Sequence, residues 1–335
     1  MKTIAFIGSD KNAGKTTVYN FIYKRLIEKG DKKKPICLTS TGINGEPFDT
    51  FEGHPKPPIV IYRNSYFITA DAQLKKNTRH YEIIERLKSP DFSNHYILGK
   101  CTRDFHIVLE GPNSKDEVMY AKESIESHIP LTYLLIDGSI DRQFLGHPDI
   151  SDEFFFSILI SNRKEQRNKA SALLASLRIP LCSCVYKNLI KTHLKKETKT
   201  LLFCENNELL FHGRQIPFLD ESLKKSCESI GKGHGLLYLK GALSKRLSGF
   251  LAGFKNLTII LDNFTFFQNI SNHQIKSSGL SKRLYLFHRV KVLGIFLRRE
   301  LERASADTLD FPDKIPIYNL YEDPPDRLNM IEVDS

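Results

Sequence analysis

The chain has 335 residues, 41% hydrophobic and 26% charged, with Lys and Arg outnumbering Asp and Glu 49 to 39 for a net charge of +10. That length predicts two domains, and the mix is that of a globular protein, which excludes a disordered or low-complexity chain. No apolar stretch approaches the roughly 20 residues of a membrane-spanning helix. The run Ile4–Ile7 breaks at Gly8, so no export signal is expected, and Phe154–Ile160 is far shorter than a span.

The six cysteines, Cys37, Cys101, Cys182, Cys184, Cys204 and Cys227, contain no CxxC pair. They read as thiols in a reducing, cytoplasmic setting, with Cys182 and Cys184 alternating on one face of a strand. The basic groups Lys32–Lys34, Lys187–Lys199 and Arg298-Arg299 are scattered and not interleaved with aromatics. They read as solvated surface, and neither a membrane nor a nucleic acid is expected as a partner.

In chain order, Lys2–Ile7 predicts a buried strand, followed by a glycine-bounded loop. An amphipathic helix then runs from about Gly14 to Lys29, with Val18, Phe21, Ile22, Leu26 and Ile27 on one face and a stop at Gly30. Ile36–Ser40 is a second strand, completing a βαβ unit. Thr41–Pro58 is a long polar connection of the kind that is mobile or functional. It ends at the apolar run Ile59–Tyr62, and a helix is predicted over Ala70–Leu87. His106–Leu109 and Tyr133–Ile136 are buried strands separated by a helix near Ser114–Ser127. A further strand, Phe155–Ile160, precedes a helix over Asn162–Leu177.

Beyond Lys187–Lys199, Leu201–Cys204 and Glu208–Phe211 predict a hairpin. Leu236–Leu239, Leu257–Leu261, Val290–Leu297 and Ile315–Tyr318 predict strands. The expected architecture is an α/β protein: a P-loop NTPase-like parallel sheet with helices on both faces over residues 1–200, then a smaller α/β domain over 201–335.

The chemistry concentrates in Gly8-Ser9-Asp10-Lys11-Asn12-Ala13-Gly14-Lys15-Thr16-Thr17. Between a buried strand and an amphipathic helix, such a loop turns consecutive N–H groups toward phosphate oxygens at the helix's positive end. Gly14 lets the backbone approach, Lys15 neutralises β/γ charge as the catalytic cation, Thr16 supplies a hydroxyl to Mg²⁺, and Thr17 lies toward the α-phosphate. The loop is one residue longer between its glycines than the common form, because Ser9 stands six before Lys15 and Gly8 seven. That longer spacing belongs with ligase-like members of the P-loop group. Asp10 stands where the partition ATPases carry a second lysine, which argues against that branch.

Two strand ends offer carboxylates for the metal and the chemistry. Tyr133-Leu134-Leu135-Ile136-Asp137 has the Walker B form, and Ile107-Val108-Leu109-Glu110 has the same form with glutamate. Asp137 is the favoured metal partner with Thr16, and Glu110 the second acidic group at the same edge; the two roles remain exchangeable. Arg142 pairs with Asp141 or reaches the γ-phosphate. No NKxD-type guanine motif is present, so ATP is the expected nucleotide.

Several blocks resemble the lysine 5,6-aminomutase reactivase subunit family. They are Gly8–Thr17, Leu38–Glu46 with Asp49 beyond, Ile136–Arg142, Pro148–Glu153 and Leu239–Leu243. The resemblance implies an ATP-dependent accessory protein that releases inactive cofactor from a cobalamin-dependent aminomutase. Its partners would be that client and a second reactivase subunit. The stretch after Glu153 departs from the family's small residues, and no DxHxxG cobalamin-ligating motif occurs. The alternative from the residues is an ATP-dependent ligase resembling dethiobiotin synthetase, with Thr39–Glu46 holding the substrate. A nucleotide-dependent protein whose basic surface meets nucleic acid is a third and weaker reading.

Overall fold

The computed structural model describes residues 1–29, 35–46, 57–74, 79–88, 94–138, 143–215, 221–266, 279–300, 309–331 and 333. In chain order the elements of the first half are β1 (Lys2–Gly8), α1 (Lys15–Lys29), β2 (Ile36–Ser40), β3 (Gly42–Asn44), β4 (Ile59–Ile61), β5 (Tyr66–Ala70), β6 (Tyr81–Leu87), β7 (Tyr96–Cys101), β8 (Phe105–Ile107), β9 (Leu109–Gly111), α2 (Lys115–His128), β10 (Tyr133–Asp137) and β11 (Glu153–Ile160). The remainder comprises α3 (Lys164–Arg178), α4 (Cys184–His193), β12 (Thr200–Phe203), β13 (Leu209–Gly213), α5 (Glu221–Ser229), β14 (Gly235–Leu239), α6 (Lys245–Ala252), β15 (Leu257–Leu261), β16 (Leu284–Leu286), β17 (Lys291–Arg299), β18 (Ile317–Tyr318) and α7 (Pro325–Asn329). Among the described residues no helix is long and apolar enough to cross a membrane.

The chain forms two compact units. The first comprises residues 1–160, 290–304 and 314–335, and the second 161–289 and 305–313. The expected boundary near residue 200 therefore does not match the contacts: the larger unit closes at residue 160 and takes back the last two strands. The reason is visible in β17, which pairs along its length with β11, from Glu153↔Lys291 to Ile160↔Arg299. Local pattern identifies both segments as strands but carries no information about which distant strand each will meet.

The first unit is built on a nine-stranded sheet in the order β18-β17-β11-β1-β10-β2-β5-β7-β6. From β18 to β5 the pairings are parallel, whereas β7 runs antiparallel to both β5 and β6. The sheet is mixed, which corrects the expectation of a parallel one. All eight residues of β11 are buried, as a strand covered on both faces requires. An aromatic chain crosses its middle. Tyr19 of α1 meets Phe6 edge-on with ring centres 5.1 Å apart, Phe6 stacks on Phe155 at 5.6 Å, and Phe155 meets Phe296 at 5.7 Å. Each such pair contributes about 0.5–1.5 kcal/mol beyond its burial.

The expected helix over Ala70–Leu87 is replaced by the end of β5, a short 3₁₀ turn and the edge strand β6. In Tyr81–Leu87 a register shift between Ile83 and Glu85 breaks the two-residue alternation, so the sequence mimics a helical spacing. Bulge and charges also suit an edge strand. The predicted strand His106–Leu109 is two strands divided at Val108, with β8 pairing β4 and β9 pairing β3. Of the long connection Thr41–Pro58, residues 42–44 form β3, while 47–56 lie outside the described residues.

The second unit has a five-stranded sheet in the order β13-β12-β14-β15-β16, antiparallel at β13-β12-β14 and parallel beyond. Its core includes Ile190, Leu201, Phe203, Tyr238, Ile260 and Phe287. Cys182 and Cys184 do not share a strand face. Ser183 caps α4 by accepting a hydrogen bond from the Tyr186 N–H, which leaves Cys182 buried and puts Cys184 in the exposed first turn. All six cysteines are free thiols. Burial raises the thiol of Cys101 to about 11 and that of Cys227 to about 12. In the native protein at pH 8, iodoacetamide followed by peptide mapping should therefore modify Cys184 well before Cys37, Cys101 or Cys227. Early modification of Cys227 would contradict this packing.

Candidate functional site around the turn from β1 to α1

The loop between β1 and α1 is moored to the neighbouring strand. Ser9 donates its N–H to the Ser157 carbonyl at 2.9 Å, and its hydroxyl accepts the Leu159 N–H at 3.0 Å. The Asp10 carboxylate accepts the Lys11 N–H at 2.8 Å. Asn12 (φ 59°) and Gly14 (φ 86°) then take left-handed backbone and fold the chain back into the helix. Asparagine tolerates that conformation and glycine adopts it freely. No acidic residue of α1 itself stands in its first turn, where the helix dipole favours an anion.

Gly8 is required for a different reason. A Cβ there would lie 2.7 Å from both Cγ and Cδ of Lys15 and 3.0 Å from Nζ. The lysine stem thus runs back across the end of β1, and its ammonium donates to the Asp10 carbonyl at 3.2 Å. Thr16 donates its hydroxyl to Asp137 Oδ2 at 2.8 Å. Asp137 is fully buried at the end of β10, level with Phe6 on one side and Ser40 on the other, and its carbonyl accepts the Thr41 N–H. A hydroxyl and a carboxylate in contact form a hard-oxygen pair of the type Mg²⁺ takes, so these residues fit the ion. Beneath them, the Tyr19 hydroxyl reaches the Thr39 carbonyl at 3.4 Å. Its pKa is raised by burial first and by the Asp137 charge second, which keeps it a neutral donor.

Glu110 is engaged elsewhere. Its carboxylate accepts from Gln73 Nε2 at 2.7 Å and from Asn94 Nδ2 at 2.6 Å, and its N–H donates to Thr69 Oγ1 at 2.9 Å. The structure therefore joins Lys15, Thr16 and Asp137 at one sheet edge and ties Glu110 to β5 and the segment before β7. Asp141 and Arg142 lie outside the described residues, as does Asp49.

One side chain at the loop is hidden in the sequence among the surface cations. Arg298, near the end of β17, passes Gly14 so closely that a Cβ on the glycine would lie 3.4 Å from Arg298 Cδ. It is half-buried and stands level with Leu159, the residue bonded to Ser9. A charge following the apolar run Ile295–Leu297 is the same strand-end signal that marks Asp137. Local pattern gives it no weight, because it places that strand in the other domain.

Comparisons of the chain with protein-family models, curated proteins and solved structures return no match.

Two substitutions separate the roles here. Gly8→Ala should keep the fold, because it displaces a flexible lysine stem, but it should weaken binding of any phosphate ligand that Lys15 holds, as read by calorimetry with ATP-Mg²⁺. Glu110→Gln replaces an acceptor facing two amide donors and should lower stability by roughly 1–3 kcal/mol with little change in nucleotide affinity, as measured by denaturant titration. A loss of affinity in Glu110→Gln at unchanged stability would return that residue to the site.

Proposed function

We propose that the first unit binds ATP with Mg²⁺ in a P-loop formed by Gly8–Thr17 and hydrolyses it. The observation that supports this most is the lysine folded over Gly8 beside the Thr16–Asp137 contact, at the amino end of a helix with no acidic residue in its first turn. In this reading the N–H groups of Gly14–Thr17 take the β- and α-phosphates, Lys15 neutralises the β/γ charge, and Arg298 adds a second cation beside Gly14. Thr16 and Asp137 would hold Mg²⁺, which supplies positive charge to the phosphoryl oxygens when bound. A cytoplasmic setting agrees with six free thiols.

The purpose we propose for this hydrolysis is reactivation of a cobalamin-dependent aminomutase, releasing inactive cofactor from a protein client. Its support is the resemblance of the sequence blocks; the geometry supports only the nucleotide step. A ligase of the dethiobiotin-synthetase type is the second reading, and one observation favours it. Residues 42–44 are clamped as β3 against β9, with Gly42 opposite Gly111, and Ser40 Oγ donates to the Leu109 carbonyl. A wall held so firmly next to Asp137 suits a substrate pocket better than a segment that orders and releases.

Charge-assisted contacts to phosphate contribute roughly 1.5–3 kcal/mol each, so Lys15→Ala should weaken ATP binding about tenfold or more while the fold survives. Asp137→Asn should depress hydrolysis far more than affinity. Calorimetry showing unchanged ATP affinity in Lys15→Ala would remove the P-loop assignment. For the purpose, the protein is mixed with cobalamin-inactivated aminomutase, fresh coenzyme and ATP-Mg²⁺. ATP-dependent recovery that Lys15→Ala abolishes is the expected result. ATP turnover stimulated by a small amine or carboxylic acid, without recovery, would decide for the ligase.

A further inference from the structure

The second unit holds 22 of the 49 Lys and Arg residues but 11 of the 39 Asp and Glu, a net charge of +11, whereas the first holds 27 and 28, a net charge of −1. The whole excess charge of the protein thus belongs to one folded unit. Division of the chain by contacts reveals this; the scattered order of the sequence does not.

Within that unit the charge has a focus. Thr200 of β12 stands opposite Gly213 of β13 on one side and Leu239 of β14 on the other. The residues just beyond these strand ends are Lys199, Arg214 and Lys240. Lys199 donates its N–H to the Gly213 carbonyl at 2.8 Å, and Lys240 donates to the Lys199 carbonyl at 2.7 Å. These three cations form a row in that each stands one residue beyond the same end of one of three adjacent strands. Lys195 and Lys196 are exposed in the turn that leads into the row, and Thr198 hydrogen-bonds His212 beneath it. Lys245 opens α6 five residues beyond Lys240. Among the described residues none of these five lysines, nor Arg214, forms an ion pair. Like charges close together across strands are destabilising, and the same end of the sheet carries two carboxylates: Glu197, exposed in the turn, and Asp262, which accepts from the Tyr238 hydroxyl at 2.6 Å.

We infer that this edge of the smaller sheet binds the phosphate backbone of a nucleic acid without reading its bases. A backbone of regularly repeated phosphates uses both the row and the excess charge spread over the rest of the unit, which a short acidic peptide would leave unused. A lipid surface is disfavoured by composition. Among the described residues, the exposed apolar side chains of the unit, Leu181, Val185, Leu209 and Leu210, lie at the amino end of α4 and the far end of β13. Among the described residues, those adjoining the row in the chain, Thr198, Gly213 and Gln215, offer no aromatic ring for base stacking.

The experiment uses the full chain and fluorescein-labelled 20-base-pair DNA, with single-stranded RNA of the same length, polyglutamate and phosphatidylserine vesicles as separate arms. The expected result is binding to the nucleic acids irrespective of sequence, weakening linearly in log–log form as salt rises. Combined Lys199→Gln, Arg214→Gln and Lys240→Gln should cut that slope by about 2.7, at about 0.9 for each duplex phosphate left without its cation, while ATP affinity stays at its unsubstituted value. A charge-swapped control on a lysine outside the row, Lys255→Glu, should change the slope far less. Absence of binding at 50 mM salt, tighter binding of polyglutamate or vesicles than of DNA, or a slope untouched by the triple substitution would each overturn the proposal. Neither outcome bears on the P-loop reading, which is tested separately through Lys15.

Discussion

The candidate site depends on the parallel register of β10, β1, β11 and β17. Parallel strands end on the same side, and open α/β sheets bind ligands at that side because helix amino ends and strand carboxyl ends converge there. In this protein the rule brings together residues from the extremes of the chain. Asp137 arrives on β10, Lys15 and Thr16 on the turn after β1, Leu159 on β11 and Arg298 on β17. A one-residue slip of β17 against β11 would turn Arg298 to the other face of the sheet and away from Gly14. The ring contact of Phe155 with Phe296, the last link of the aromatic chain from Tyr19 through Phe6, would be parted by such a slip.

The same arrangement explains why the loop is both crowded and open. Gly8 gives up a side chain so that the Lys15 stem can cross the end of β1, and Gly14 gives one up so that the backbone can reverse beside Arg298. Around these two positions the loop is fastened by Ser9 to Ser157 and Leu159, and its exposed residue is Asn12. A loop held in shape before a ligand arrives loses less entropy on binding it, which is how fixed N–H groups stabilise an anion that water would otherwise solvate.

Much of this was legible in the residues themselves. A buried strand, a glycine-bounded loop and an amphipathic helix carry short-range signals, and β1, α1, β2, β10 and β11 follow them closely. Asp137 was legible because four bulky residues precede a carboxylate. The failures are long-range. Tyr81–Leu87 reads as helix because a bulge disturbs its alternation, and only pairing with β7 reveals the strand. Glu110 has the same local form as Asp137, yet two carboxamides from distant segments, Gln73 and Asn94, claim it. Arg298 is hidden because strand partners more than a hundred residues apart cannot be inferred from periodicity.

The connectivity adds a constraint of its own. Residues 161–289 are inserted between β11 and β17, two strands that lie side by side in the larger sheet. The chain leaves that sheet at Ile160, on the side that carries the loop after β1, and the last residues before departure are bonded to that loop through Ser9 and Leu159. Any ligand that shifts Ser9 must strain a hydrogen bond one residue from the exit to the basic unit. A ligand couples two sites only through a difference in affinity between two arrangements, and this bond lies wholly within the larger unit.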